Sequence, residues 1–174
     1  MRSFTKQIEK MMIPSTGIDC RKDLRHAMRI SSKGRYGLAA LITMAQNYAN
    51  GACMTVISLS ERLGISKIYL EQVFALLKKA ELVNAVKGAQ GGYRLARPPE
   101  QINAFEILSA LELSLFEKTV PSVAHKAENI ETAMQDCVFS VLDNALEETL
   151  ARITLADLSA EAEKRAKAGY MFYI

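Results

Sequence analysis

The chain has 174 residues, 49% of them hydrophobic, which suffices for one buried core and an added interaction element but not for two large domains. Its net charge of +3 is unevenly spread: residues 29–100 carry ten basic and four acidic side chains, whereas residues 101–174 carry six and twelve. A basic segment of this kind is compatible with a polyanionic partner.

The cysteines and the apolar runs limit the class of protein further. Cys20, Cys53 and Cys137 are too widely spaced for a zinc site. An odd number of separated cysteines indicates reduced thiols, and we expect a cytoplasmic protein. The longest apolar runs, such as residues 38–42, have five residues, far below the ~20 needed to span a bilayer. We therefore expect no membrane segment and no membrane partner.

The first organised segment begins near Met28. Residues 1–27 show no sustained periodicity and contain a Pro-Ser-Thr-Gly break, so they predict a mobile N-terminal extension. Met28 is a candidate alternative start. From Ser32 onward apolar residues recur at helical spacing until Gly51 stops the pattern, which predicts a first helix.

Two short helices are predicted next. Ser58 and Glu61 have the spacing of a capping box, which predicts the start of the second helix. Gly64 interrupts it, and Ser66 can cap a third helix to about Lys79. The apolar positions of this third helix are Ile68, Leu70, Val73, Leu76 and Leu77. Two short helices joined by a tight glycine-containing turn are typical of a helix-turn-helix.

A β-hairpin is predicted directly after the helix-turn-helix. Residues 82–87 are rich in β-branched side chains, Gly91 and Gly92 follow, and residues 93–96 alternate between apolar and polar. Glycines tolerate the positive φ angles that a hairpin connection needs. At this place in the chain such a hairpin is a wing.

The last third of the chain is predicted to be helical. Asn103 and Glu106 form a second capping pair for a helix to about Leu113, and residues 114–128 are predicted to be a loop. A long amphipathic helix should follow, because apolar residues recur along one broad stripe that a second subunit would cover. The stripe consists of Ile130, Met134, Cys137, Val138, Val141, Leu142, Ala145, Leu146, Leu150 and Ile153.

A final helix is predicted from the cap formed by Thr154 and Asp157 to about Lys167, where Gly169 closes it. An apolar tail then ends the chain. The tail residues are Tyr170, Met171, Phe172, Tyr173 and Ile174.

Four ordered motifs resemble the Rrf2 family of bacterial transcriptional regulators. They are MRISSKGRY at residues 28–36, YLEQ at 69–72, the wing sequence at 86–93 and ITLADL at 153–158. The resemblance implies a homodimeric repressor of double-stranded DNA, mainly α with a small β-hairpin wing. It places a winged helix-turn-helix at residues 28–100, linker and dimerisation helices at 101–169, and the tail at 170–174.

The third helix supplies the candidate base contacts, because the second helix of a helix-turn-helix enters the major groove. Gln72 is suited to adenine and Glu71 to a cytosine amine, whereas Ser66 and Tyr69 suit phosphates. A solvated helix face is the alternative interpretation. The candidates on this helix are Ser66, Lys67, Tyr69, Glu71 and Gln72.

Two further groups complete the predicted DNA surface. At the start of the first helix, exposed N–H groups and positive charge favour a phosphate, and the candidates are Ser32, Lys33, Arg35 and Tyr36. In the wing, small residues allow approach to a minor groove, although any tight turn would need the same glycines. The wing candidates are Lys87, Gln90, Gly91, Gly92 and Tyr93.

The cysteines do not predict a cofactor. The best-known branch of the family holds an iron-sulfur cluster through three grouped cysteines. Here Cys137 stands alone in that region and Ser140 replaces a histidine ligand, so we expect no metal and no cofactor. Cys137 lies in the apolar stripe and should be buried. Cys53, in a polar turn, is a candidate redox thiol, with an inert thiol as the alternative.

The apolar tail requires a pocket, either on its own dimer or on a partner that captures the terminal carboxylate. It resembles the tail of a family branch that represses cysteine metabolism genes through complex formation with cysteine synthase, which implies docking of Ile174 there. A thiol-redox or iron-sulfur-biogenesis regulator without a cluster is the alternative. An enzyme is not expected, because His26 and His125 belong to no catalytic motif.

Overall fold

The computed structural model describes residues 30–51, 53–88, 91–116, 123 and 126–170. The predicted extension at residues 1–27, Gln90 in the wing and residues 171–174 of the tail lie outside these ranges. The described part consists mainly of helices with one two-stranded sheet, which confirms the predicted fold class. None of its helices is both long and apolar enough to cross a membrane.

Three helices form the first half of the fold. Helix α1 covers Ser32–Gln46, α2 covers Val56–Leu63 and α3 covers Lys67–Lys79. A 3₁₀ turn at Tyr48–Asn50 and a left-handed Gly51 follow α1, near the predicted stop. Gly64, with a φ of 64°, turns the chain out of α2. The predicted helix-turn-helix is thereby confirmed.

The caps of these helices differ in part from the prediction. The capping box of Ser58 and Glu61 is wrong. Thr55 caps α2, because its extended backbone brings its hydroxyl 3.0 Å from Ser58 N, which donates to it. Ser66 occupies the N-cap position of α3 as predicted, but its side chain makes no capping hydrogen bond.

The wing is an antiparallel hairpin of β1, Val83–Val86, and β2, Gly92–Leu95. A third segment that the sequence did not reveal joins it. Met54 N donates to Tyr93 O at 2.9 Å, and Tyr93 N donates to Met54 O at 2.8 Å. These two hydrogen bonds attach the wing to the connection between α1 and α2.

Helix α4 covers Ala104–Leu111 and is followed by a short helix α5 at Leu113–Phe116. The prediction of a loop from residue 114 is therefore wrong at its beginning. The ring of Phe116 packs edge-on against Phe105, with centroids 5.3 Å apart. This tertiary contact supports α5 where local periodicity is weak.

Two predicted helix caps are confirmed. Glu106 N donates to Asn103 Oδ1 at 2.9 Å at the start of α4. Asp157 N donates to Thr154 Oγ1 at 3.1 Å at the start of the last helix, α8, which covers Leu155–Tyr170. Hydrogen bonds from the Thr154 hydroxyl and backbone N–H lower the pKa of Asp157. Helix α8 continues past Gly169, so the predicted end near Lys167 is wrong.

The predicted long amphipathic helix is present as a continuous segment of three parts, here called the long helix. It comprises α6 at Glu128–Met134, a π-helical turn at Gln135–Phe139 and α7 at Ser140–Ala151. The π turn inserts a residue into the helical repeat and rotates the faces that follow it.

The core lies between α1, α3, α4 and the wing. Leu70 and Val73 are fully buried, as predicted, and Leu155 of α8 closes one side. Ile68 departs from the prediction, because it is 69% exposed although the periodicity placed it with the core residues. The largest fully buried side chains include Leu41, Phe74, Leu77, Leu82 and Ile107.

The long helix has two apolar faces, where the sequence suggested one stripe. The inner face is half-buried against the chain's own domain and contains Met134, Phe139, Leu146 and Leu150. The outer face is exposed and contains Ile130, Cys137, Val138, Val141 and Leu142. The expected burial of Cys137 is therefore wrong for this chain by itself, because Cys137 belongs to the outer face.

Candidate nucleic-acid interface

The first turns of α3 present polar side chains outward, while Leu70 and Val73 anchor the helix in the core. Lys67 and Glu71 face each other as an ion pair, with Lys67 Nζ 3.6 Å from Glu71 Oε1. Both side chains are more than half exposed, so the pair stabilises little and can be exchanged for contacts with a ligand. Ser66 and Gln72 are also exposed.

Ile68 is a member of this surface that the sequence interpretation missed. At 69% exposed, it has the highest exposure among the large hydrophobic side chains of the described residues. It lies one residue after the ion-paired Lys67, at the start of α3. Its place in the first turn of the predicted recognition helix could have indicated a DNA contact. The helical periodicity instead assigned Ile68 to the core.

The start of α1 is joined to α3 by an aromatic contact. The rings of Tyr36 and Tyr69 meet edge to face, with centroids 5.2 Å apart and an interplanar angle of 81°. Both residues are half-buried, whereas Ser32 and Arg35 are exposed beside them. This contact joins two candidate groups that lie more than 30 residues apart in sequence.

A buried carboxylate occupies the N-terminal end of α1, where the sequence predicted a phosphate on free N–H groups. Glu112 Oε1 accepts from Ser31 N at 2.9 Å and from Ser31 Oγ at 2.7 Å. A Cβ at Gly34 would overlap with the same oxygen. A phosphate at this end would therefore depend on the exposed side chains of Ser32 and Arg35. Glu112 carried no local sequence signal, because it lies 81 residues from Ser31.

The glycines of the wing are required by its backbone. Gly88 has a φ of 116° and Gly92 a φ of 155°. A Cβ at Gly91 would lie 2.5 Å from Val86 O, and one at Gly92 would lie 2.6 Å from Met54 O. The alternative interpretation, that these glycines are needed by the tight turn itself, therefore has a direct physical basis. Lys87 is exposed where β1 ends.

Tyr93 connects the wing to the recognition helix. Its ring packs on Phe74 with centroids 4.5 Å apart, and its side chain is half-buried at the edge of the core. This packing holds the wing against α3. The contacts of Tyr36 with Tyr69 and of Tyr93 with Phe74 thus link all three candidate groups.

Cys53 is half-buried beside this connection, one residue before Met54. Because Met54 pairs with Tyr93 in the wing, Cys53 lies directly beside the point where the wing is attached. Cys137 lies far along the chain in the π turn of the long helix. The two thiols thus belong to different parts of the structure.

Comparisons with known proteins agree with this architecture. The Rrf2 family model, described as an iron-dependent transcriptional regulator, matches residues 30–161. The chain is 35% identical to the HTH-type transcriptional regulator CymR of Bacillus subtilis over 147 residues, covering 84% of this chain and 100% of that protein. It is 45% identical to IscR of Cereibacter sphaeroides over 86 residues, covering 49% of this chain and 56% of that protein.

Solved structures give the same result. The structure of T. potens IscR has a TM-score of 0.62 and 40% identity, covering 84% of this chain and 98% of that one. The structure of CymR from B. subtilis, described as its global cysteine regulator, has a TM-score of 0.58 and 31% identity, covering 78% and 98%.

The iron in the family description does not fit the donors among the described residues. In the described ranges, no three His, Cys, Asp or Glu side chains come together as a metal site would require. Cys53 and Cys137 lie in different elements, whereas an iron-sulfur cluster needs several ligands in one place.

The relatives are named as transcriptional regulators and not as enzymes. With the family model matching most of the chain and the winged helix-turn-helix in place, this chain belongs to the Rrf2 family of DNA-binding transcriptional regulators.

Proposed function

We propose that this protein is a homodimeric repressor that binds a pseudo-palindromic DNA site through the winged helix-turn-helix at residues 28–100. The main support for this proposal is the pair of aromatic contacts that links the start of α1, the recognition helix α3 and the wing. A surface held together in this way can engage two grooves and the phosphates between them in a fixed register.

Each group has its own role in this proposal. On α3, Gln72 pairs with an adenine. Glu71 gives up its ion pair with Lys67 and accepts a hydrogen bond from a cytosine amine. The side chains that hold phosphates are Ser66, Lys67, Tyr69, Ser32, Lys33 and Arg35, with Tyr36 positioning Tyr69. From the wing, Lys87 and Gln90 reach the minor groove, where the Lys87 ammonium also neutralises a flanking phosphate. Tyr93 and the wing glycines act by shaping the hairpin.

Ile68 adds an apolar base contact. An isoleucine this exposed on a recognition helix loses water-facing surface when it meets the C5-methyl group of thymine in the major groove. Ile68 therefore favours thymine over cytosine at one position of each half-site.

In this proposal a second copy of the chain packs against the linker and dimerisation helices at residues 101–169. The outer face of the long helix exposes Val141 at 57%, Leu142 at 56% and Ile130 at 54%. Adjacent exposed apolar side chains of this size mark an association surface. A two-fold axis along this face would present two recognition helices to one DNA site.

The similarity to CymR supports control of cysteine and sulfur metabolism genes, since this chain covers that relative completely. In this proposal the tail at residues 170–174 docks into cysteine synthase, with Ile174 entering its active site. The similarity to IscR supports a second candidate, a regulator of iron-sulfur biogenesis that binds no cluster itself.

A thiol-redox response through Cys53 is a further candidate. Its support is the position of Cys53 at the attachment of the wing and the similarity to Staphylococcus aureus CymR, one structure of which is described as its oxidised form. A Cys53→Ser variant that keeps its full response to peroxide would exclude this role.

The salt dependence of DNA binding tests the main proposal. Log affinity should fall linearly with log salt, by a slope of about −0.9 for each phosphate contact. Lys87→Ala should weaken binding to all sequences and reduce that slope by about 1, whereas Gln72→Ala should relax base preference. Fluorescence anisotropy with selected and scrambled duplexes measures both. A slope near zero for the unmodified protein would contradict the proposal.

Deletion of Ile174 tests the proposed partner. The truncated protein should lose co-purification with cysteine synthase, because the terminal side chain and carboxylate dock together. Its DNA affinity should stay within about twofold, since the tail is no part of the DNA surface. Retained binding to the enzyme would contradict the docking model.

A further inference from the structure

A cavity of about 470 Å³ lies between the end of α1 and the base of the wing. Its lining is mixed, with polar and apolar groups in similar proportion, and its volume falls within the ordinary range for small-molecule sites. Met44 is buried and Met54 half-buried there, and both have flexible side chains that adapt to the shape of a ligand. The lining residues are Met44, Tyr48, Ala49, Gly51, Met54, Asn84, Arg94, Leu95 and Ala96.

The polar groups of this cavity come from the two strands of the wing. Asn84 and Arg94 are opposite each other in the hairpin register, and both are exposed. Arg94 has no carboxylate partner among the described residues, whereas Arg97 nearby is bound to Glu106 at 2.8 Å. Among the described residues that line the cavity, none is acidic. The cavity therefore combines an apolar part, formed by Met44, Met54 and Leu95, with a cationic side at Arg94.

We propose that this cavity binds a small organic carboxylate with a short apolar chain. The guanidinium of Arg94 holds the carboxylate with two N–H donors, and the Asn84 amide supplies a third donor from the facing strand. The apolar chain lies between Met44, Met54 and Leu95. A neutral molecule of the same shape lacks the interaction with Arg94 and binds more weakly.

The position of the cavity couples the ligand to DNA binding. One wall belongs to α1 and the turn that follows it, and the other wall belongs to the wing. The pairing of Met54 with Tyr93 attaches the wing to the segment that follows this turn. A ligand that fills the space changes the orientation or the freedom of the hairpin, whose first strand ends just before Lys87. Because a ligand shifts an equilibrium by its differential affinity for two states, it changes DNA affinity. This coupling rests on the proposed DNA-binding function, whereas the site itself does not.

Methionine-methyl NMR tests the site directly. The protein labelled with ¹³C at its methionine methyl groups is titrated with sodium hexanoate and, separately, with 1-hexanol, at constant sodium concentration. The signals of Met44 and Met54, assigned by Met→Leu variants, should move with hexanoate. Arg94→Gln should raise the hexanoate dissociation constant at least about tenfold, the effect expected for loss of a charge-assisted hydrogen bond.

The matched control is Arg97→Gln, which removes the same charge from outside the cavity. It should leave the hexanoate dissociation constant within about twofold. Equal binding of hexanoate by Arg94→Gln and the unmodified protein would overturn the proposal. So would equal binding of hexanol and hexanoate, or an absence of movement at Met44 and Met54 up to the solubility limit.

DNA binding provides the second measurement. Saturating hexanoate, against the same concentration of sodium chloride, should change the DNA dissociation constant of the unmodified protein at least threefold and that of Arg94→Gln by much less. An unchanged constant for the unmodified protein would overturn the coupling. A protein that binds hexanoate but no DNA would instead contradict the proposed function and leave the site standing.

Discussion

The two halves of this molecule bury their apolar residues in different ways. In the winged helix-turn-helix, Leu41, Leu70 and Phe74 are fully buried within a single chain. In the long helix, no residue of α7 is buried, and Val141 and Leu142 remain more than half exposed. The DNA-binding half is therefore held by its own core, whereas the outer face of the long helix is exposed in the single chain and is the face that a second copy covers in the proposed dimer.

The largest expected effect is dissociation of the proposed dimer by charges on the long helix, with the fold of the DNA-binding half unchanged. Val141→Asp combined with Leu142→Asp places two charges on each side of the proposed dimer interface. Because an unpaired buried charge costs about 3 to 5 kcal/mol, the dimer dissociation constant should rise by more than about 100-fold. Analytical ultracentrifugation measures this change, and the far-ultraviolet circular dichroism should be preserved.

The matched control is Glu147→Gln, an exposed position on the same helix that adds no charge to the outer face. It should stay dimeric at the same concentrations. A double variant that remains as dimeric as this control would show that the outer face is not the interface.

The next effect concerns the core of the first half. Gly34→Ala should destabilise the chain by about 1 to 3 kcal/mol, the usual cost of overpacking, since the new Cβ would meet the Glu112 carboxylate that binds Ser31. Urea unfolding at matched protein concentration measures the loss.

A double-mutant cycle sharpens this test. In a Glu112→Ala background the cost of Gly34→Ala should fall by half or more, because the clashing oxygens are gone. Strictly additive costs would mean that the close approach of Glu112 to α1 does not constrain Gly34.

The smallest effect concerns the DNA surface of the first half. Replacing the contacted thymine by uracil removes one methyl group and should weaken binding by the unmodified protein about fourfold, since a buried CH₂ group contributes about 0.8 kcal/mol. Ile68→Ala should lose this sensitivity, and Gln72→Ala should keep it. Anisotropy titrations with paired duplexes measure the ratio. Equal sensitivity in Ile68→Ala would assign the thymine contact to another residue.

The accuracy of the sequence interpretation followed the range of the interactions involved. The capping pair of Asn103 and Glu106 was predictable because both partners lie within one helical turn. The start of α2 was misplaced, because Thr55 and Ser58 are equally suitable caps by residue type and tertiary structure selects between them. Glu112 could not be found from sequence, since its partner Ser31 lies 81 residues away, at the N-cap of α1.

The predicted site shows the same limits. Helical periodicity identified α3, but it assigned Ile68 to the core because an apolar residue at the edge of a stripe has the same pattern whether buried or exposed. Likewise, the sequence pattern placed the apolar residues of the long helix in one stripe. In the structure they form two faces, because the π turn rotates the helix and only the inner face packs on the chain's own domain. Cys137 was consequently expected to be buried, whereas it is exposed on the outer face.

The stoichiometry on DNA tests the central claim most directly. A duplex selected from a random library, with half-sites about one helical turn apart, is mixed with the protein and analysed by size-exclusion chromatography with light scattering. The mass should correspond to two chains on one duplex at every protein concentration that saturates the DNA. A saturated complex with one chain per duplex would contradict the account.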